Sequence, residues 1–309
     1  MYEKDGEKYF IVDEHQHFWN ARPDNWVEGR ENLAKGWIDC FYGYHQLGPP
    51  ETHWPLEKYQ RWTLEDYGRD VFEEGLRRFE ENHKRDNYKG VKLYTAEWYG
   101  NSRGYKVSDP EAYRYLDKTR ELGIKNVHLH KGPTIWPLDR DAFDVEDVDK
   151  AATDFPELNF IVEHAGVPRI EQFAYIAVQE PNVYAGLSVV IGAHMHARPN
   201  TFARFMGELL FWVGEDRIVF GSDYGIWEPK WQVEGFIDWQ MPDGEQFSDY
   251  PKLTTTAKKK IMGLNAAKLY DIEVPPECQI PAPGTTADED KAPGEELFID
   301  AGTAAGAQA

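Results

Sequence analysis

From residue 90 to residue 223 the chain alternates between short, nearly all-apolar segments and longer segments of helical periodicity. This alternation restricts the fold more than any other feature. The apolar segments are 90–95, 124–130, 159–164, 183–190 and 217–223. Helical spacing is predicted over 109–123, with Asp109 as cap and Pro110 at the first helical position. It is also predicted over 141–154, 170–179 and 201–213, and over a last helix, 256–270. Strands without polar alternation are buried on both faces, which requires a parallel sheet covered by helices. An earlier helix opens at Thr63, with Asp66 at the capping-box position. Leu64, Tyr67, Val71, Phe72, Leu76 and Phe79 fall on one face, and the helix ends near Asn87.

The polar residues gather where strands end. The run Val12-Asp13-Glu14-His15-Gln16-His17 follows the apolar stretch 9–12. A strand has a side-chain period of two, so His15 and His17 leave the same side and can reach one metal ion. His128 and His130 end the segment 124–130, His164 ends 159–164, and Asp223 ends 217–223. In a parallel α/β barrel the carboxyl ends of the strands meet on one face, where sites are built. Four strand ends carrying metal-ligand residue types point to a metal centre.

The pieces VDEHQH, GVKLYT, VHLHKG, FIVEHAG, FGSDYG and IMGLNAAKLY together resemble the amidohydrolase superfamily, in its decarboxylase-like family 2 branch. The resemblance implies a distorted, TIM-like (β/α) barrel. By it, His15, His17, His130 and Asp223 match the metal ligands, and His164 matches an acid/base histidine or a ligand to a second metal. Asp223 and His164 are thus the expected catalytic residues. Three imidazoles and a carboxylate suit Zn²⁺, Fe²⁺ or Mn²⁺, with zinc the first expectation. Such an ion lowers the pKa of the water it carries toward about 7, or grips a carboxylate that is to be lost. The function implied is metal-dependent hydrolysis or decarboxylation of a small carboxylate or amide.

The aromatic segment 18–62, KLYTAEWYG and VHLHKGPTIWP are similar to the 2-aminoisobutyrate hydroxylase type, which implies a second reading: a subunit of a dinuclear iron or manganese, oxygen-dependent hydroxylase. That reading needs another carboxylate, for which Glu97 is the first candidate and Glu14 the next. A third reading is a non-catalytic partner subunit. His128 reads as a supporting or core histidine, and His194 and His196 as exposed loop residues. His45 and His53 read as structural or exposed. Lys92, Lys131, Arg169 and Arg198 are the cations available to a substrate carboxylate, each a surface charge by default. Trp98, Trp136 and Trp227 either wall a pocket or pack the barrel rim.

The barrel is expected to be incomplete. Six strands are legible, and strands two and three should lie between His17 and Gly90. That interval is occupied by 18–62, read as an irregular aromatic arm, and by the helix from Thr63. An open barrel exposes strand edges, so completion by a second copy or another subunit is expected. The barrel domain is read as 1–275, and 276–309 as a flexible acidic tail. Net charge is -20, of which residues 277–300 supply seven acids against one Lys. Such a balance argues against nucleic acid or an anionic membrane as partner. With two cysteines, a charged start and no apolar run near the roughly 18 residues of a membrane span, a cytoplasmic protein with a small-molecule substrate is expected.

Overall fold

The computed structural model describes residues 1–15, 31–53, 79–95 (save 82 and 86), 103–136 and 138–280. The chain opens with a hairpin of β1 (Tyr2–Lys4) and β2 (Glu7–Tyr9). Asp5 and Gly6 both have positive φ, 51° and 82°, as a two-residue hairpin turn that follows strand twist requires. The first strand expected over 9–12 is therefore divided. Tyr9 ends the hairpin, and residues 12–15 run on as an extended segment. The Val12 N–H donates to the Met262 carbonyl (3.0 Å), the Glu14 N–H to Phe220 (3.3 Å), and the Asp223 N–H to His15 (3.0 Å).

The main sheet has five parallel strands: β3 (Gly90–Leu93), β4 (Asn126–His130), β5 (Asn159–Glu163), β6 (Val183–Gly186) and β7 (Ile218–Val219). Their spatial order is their chain order. Helices fill the crossovers: α2 (Pro110–Glu121), α3 (Glu146–Asp154), α4 (Ile170–Gln179) and α5 (Pro199–Trp212). After β7 come α6 (Pro229–Asp238), α7 (Thr255–Lys259), a π-helical turn at Lys260–Leu264, and α8 (Asn265–Tyr270). β4 and β5 are buried almost throughout. Val127, Leu129, Phe160 and Val162 meet Phe173, Phe202 and Met206 from the helices. Each large apolar side chain so placed contributes about 2–3 kcal/mol of transfer free energy.

Two segments depart from expectation. Residues 31–45, expected inside an irregular arm, form a helix, α1 (Glu31–His45). Ile38, Phe41 and His45 are buried at spacings of three and four, which makes one helical face. Ile38 and Phe41 cluster with Val189, Ala193, Ile226 and Trp227. Trp37 and Tyr44 on one flank of that face and Tyr42 on the other blur its period in the sequence. The tail, expected to be flexible from 276, is ordered to 280: a turn at Pro276–Cys278 buries Cys278, whose Sγ lies 3.4 Å from Met1 Sδ. Residues 281–309 lie outside the described residues.

Among the described residues the sheet does not close into a ring. β7 is flanked by the extended residues 12–15, and among the described residues β3 pairs only with β4. None of the described residues between 16 and 89 forms a strand. A cavity of about 570 Å³ occupies the seam between residues 12–15 and β3, lined by Val12, Glu14, His15, Val91, Lys92 and Tyr270, among others. No helix among the described residues is long and apolar enough to cross a membrane.

Candidate metal centre

Six consecutive parallel segments deliver polar side chains to one region. The extended run supplies Glu14 and His15, β3 supplies Lys92, and β4 supplies His128 and His130. β5 supplies Glu163 with His164 directly after it. Ser188 follows β6, and Asp223 follows β7. The backbone is bent to do this. His164, Ala165, Val189 and Asp223 all have positive φ, 66°, 44°, 65° and 54°, a conformation that costs a non-glycine residue about 1–3 kcal/mol. At His164 the bend breaks the strand alternation, so Glu163 and His164 are adjacent in sequence yet both contact the same cluster.

His15, His164 and Asp223 each offer a ligand atom, and these atoms lie within 4.8 Å of one another. His15 Nε2 is 3.2 Å from Asp223 Oδ1, and its Nδ1 is 2.7 Å from Glu163 Oε2. The Ser188 hydroxyl donates to Glu163 Oε2 (3.0 Å) and lies 3.1 Å from His15 Nδ1 and 3.0 Å from His164 Nδ1. Lys92 Nζ is 2.8 Å from His15 Nε2.

His130 joins through His164: Nδ1 of the first stands 3.0 Å from Nε2 of the second. His130 Nε2 faces the Pro133 carbonyl at 2.7 Å, and His164 Nδ1 faces the Ser188 carbonyl at 3.0 Å. A carbonyl only accepts, so each ring donates its proton there and presents a lone pair to the other ring. Two lone pairs at that distance require a positive centre beside them. Metal-ligating histidines have this habit, with the non-ligating nitrogen donating to a carbonyl. Two ligands on one tetrahedral ion with bonds of about 2.0–2.1 Å lie about 3.3 Å apart, close to the spacing seen. The donor set of imidazoles and carboxylate therefore fits a divalent transition ion.

Charge in this enclosed space is finely divided. Burial alone would push the His15 imidazole down, but Glu163 and Asp223 outweigh it and raise it to about 10, against the opposing charge of Lys92. Burial brings His164 down to about 4, although Asp223 pulls it up, and holds His130 well below its ordinary value with the help of His164 and Lys92. Burial and the neighbouring Glu163 push Glu14 up to about 7. For Glu163, burial works upward, but His15 and His128 hold its carboxyl well below the usual range.

Of the residues expected at the site, His15, His130, His164 and Asp223 come together as described. His17 and Glu97, with Trp98, lie outside the described residues. His128 is buried, with Nδ1 2.7 Å from Glu163 Oε1. Lys92, expected as a surface charge, is exposed yet reaches His15. Lys131 is fully buried and pairs with Asp147 at 2.7 Å, so it is no surface cation; Arg169 pairs with Asp144 at 2.8 Å. His194, expected to be exposed, is buried in the π-helical turn Val190–Met195 against the Phe205 ring. His45 is buried and bonded to the Tyr42 carbonyl, and His53 is bonded to that of Gly48. Trp227 is buried beside α1, whereas Trp136 is exposed. Glu163 and Ser188 were not foreseen as site residues. A carboxylate ending an otherwise apolar strand was a usable signal for Glu163; Ser188 offered none.

A family model described as amidohydrolase matches residues 66–272, more than half of the chain. The match begins after His15 and His17. No curated protein matches the chain. Among solved structures, an uncharacterized TIM-barrel protein from Bordetella bronchiseptica is 21% identical with a TM-score of 0.52, over 66% of this chain and 64% of that one. The chain thus spans slightly less than two thirds of that protein's length. A 2,6-dihydroxybenzoate decarboxylase from Rhizobium is 14% identical with a TM-score of 0.45, over 64% of this chain and 67% of that one. A dihydroxybenzoic acid decarboxylase from Polaromonas with bound manganese is 16% identical with a TM-score of 0.45, over 65% and 66%.

Proposed function

Because the chain belongs to the amidohydrolase family, we propose that it is a metal-dependent enzyme acting on a small carboxylate or amide, by hydrolysis or by decarboxylation. The observation that carries this reading is the pair of lone pairs on His130 Nδ1 and His164 Nε2, with His15 and Asp223 gathered beside them. In this reading His15, His130 and Asp223 hold a divalent ion, zinc or else iron or manganese. His17 joins by its spacing from His15, and Glu97 is a further carboxylate ligand in a two-ion variant. The ion's chemistry is Lewis acidity, which polarises a carboxylate or carbonyl and acidifies water.

The remaining work falls to the protein's own groups. Lys92 Nζ, at the seam cavity and beside His15, binds a substrate carboxylate and orients it toward the histidines. Burial brings His164 down to about 4, so its ring stays neutral at pH 7 and offers the Nε2 lone pair to the ion beside His130 Nδ1. The Asp223 carboxylate serves as the proton acceptor. Ser188 fixes the rotation of both His15 and His164 by standing between them. The open seam suits association with a second copy or a related subunit that covers it. Cys40 and Cys278 are free thiols, in keeping with a reducing compartment such as the cytoplasm.

The test is metal analysis of protein purified without chelators, beside His15→Ala and Asp223→Asn. The reading expects bound divalent metal in the wild type and the loss of one ion per chain in each variant. Folded variants that retain the wild-type metal content would sink it.

A further inference from the structure

We propose that Glu14, His128 and Glu163 form a second divalent-cation site, joined to the first through the two oxygens of the Glu163 carboxylate. The link through Glu163 rests on the metal site argued above, but the cluster itself does not, because neither Glu14 nor His128 belongs to the first ligand set.

The three residues each present one ligand atom, all within 4.8 Å of one another. His128 Nδ1 lies 2.7 Å from Glu163 Oε1 and 3.0 Å from Glu14 Oε2. The other His128 nitrogen, Nε2, is bonded to the Tyr270 hydroxyl. With Nε2–H donating to that oxygen, Nδ1 turns a lone pair toward two carboxylate oxygens. This is the arrangement of a ligand histidine oriented by an outer partner.

Glu14 supplies the independent observation. Its side chain is 1% exposed; among the described residues Oε1 has no hydrogen-bond partner, while Oε2 has His128 Nδ1 3.0 Å away. A carboxylate oxygen removed from water without a donor is costly, and such groups pair with charge or coordinate metals. Room for it is built into the backbone of a neighbouring segment. A Cβ on Gly221 would stand 2.7 Å from His15 Cβ and 2.8 Å from Glu14 Oε1, so glycine at that position leaves space for both side chains.

Glu163 ties the two clusters together. Oε2 faces His15 and the Ser188 hydroxyl, and Oε1 faces His128. Together Glu14, Glu163 and Asp223 bring three carboxylates to the two adjoining clusters, enough to share between one divalent ion beside His15 and another beside His128. Two carboxylate oxygens and one imidazole suit Mn²⁺ or Fe²⁺.

The experiment strips the full chain with a chelator and adds back Mn²⁺ under equilibrium dialysis, with metal counted per chain and electron paramagnetic resonance recorded. Wild type is expected to take up two Mn²⁺ with a spin-coupled spectrum. Glu14→Gln and His128→Asn are each expected to take up one, with the six-line spectrum of an isolated ion. His15→Ala is also expected to take up one. Should His128→Asn fail to fold by circular dichroism, the near-isosteric Glu14→Gln carries the test. If folded Glu14→Gln keeps every ion that wild type binds, a proton and not a cation occupies His128 Nδ1, and the proposal is overturned. A loss in Glu14→Gln without one in His15→Ala keeps this site and removes the first.

Discussion

His164 Nε2 stands 3.0 Å from His130 Nδ1, and each ring meets a backbone carbonyl with its other nitrogen. The tautomers follow: His130 carries its proton on Nε2 and His164 on Nδ1. Nitrogen-15 NMR of the metal-free protein at pH 7 should report two neutral rings with those assignments. His164 should take up a second proton only near pH 4, where burial has brought it. Addition of Zn²⁺ should move the unprotonated nitrogen of each ring and leave the protonated one nearly in place. A His164 that titrates near its ordinary value would break the lone-pair geometry on which the metal centre is read.

Lys131 follows His130 directly but faces the other way, and its role is structural. Its side chain is fully buried, with Nζ 2.7 Å from Asp147 Oδ2 and 3.0 Å from the Ala142 carbonyl. Asp147 also accepts the Val107 N–H at 2.6 Å. Removing one member of such a pair strands a charge, which costs about 3–5 kcal/mol, whereas removing both costs far less. Asp147→Ala should therefore lower the stability measured by urea unfolding by that amount. Lys131→Met added to it should recover part of the loss. An Asp147→Ala variant within about 1 kcal/mol of wild type would show that the pair is not isolated from water.

Much of this was legible in the chain before any coordinates. The spacing of apolar residues placed α4 at its observed limits, and the five buried runs became the five parallel strands. Strand ends were also legible as the places where His130, His164 and Asp223 would meet. What could not be read depends on local bends or on tertiary contact. β6 and β7 stop short of their apolar runs, which leave the sheet and bend with positive φ at Val189 and Asp223. Strand alternation alone puts Glu163 and His164 on opposite faces, and the bend at His164 brings both to one cluster. Lys92 is an ordinary exposed lysine by sequence, and only the convergence of residues 12–15 with β3 gives it His15 as a neighbour. α1 hid because Trp and Tyr surround its buried face on both sides.

The extended run that carries Glu14 and His15 is held by the π-helical turn beneath it. A Cβ added at Gly263 would lie 1.8 Å from the Phe10 carbonyl oxygen and 2.6 Å from its carbon. Both are backbone atoms of the run whose Val12 N–H bonds to Met262, so neither can move aside without releasing it. Gly263→Ala should cost more than about 3 kcal/mol, in the range reserved for backbone clashes and core disruption. Metal binding should weaken in the fraction that folds, since His15 loses its anchor. Thermal melts and metal dialysis on the same preparation check both. A melting temperature equal to wild type would mean that residues 10–12 are not seated on this turn.

Lys258 gives a pH dependence far from the site. Its Nζ donates to the Ile237 carbonyl at 2.7 Å from a buried position. Burial, together with the charge of Lys4, lowers it to about 8. Its ordinary value is 10.5, so between about pH 8 and 10.5 the unfolded chain binds this proton and the folded one does not. Stability rises with pH wherever the unfolded state binds more protons. This one group should therefore make the fold more stable as pH rises through that window, while below pH 8 its full penalty is present. Lys258→Met removes the titration. The difference in urea midpoint, wild type minus variant, should grow from pH 7.5 to pH 10.5 and be flat below pH 7. A difference that is flat throughout, or that falls across the window, would mean that the ammonium reaches water and is not held in the interior by Ile237.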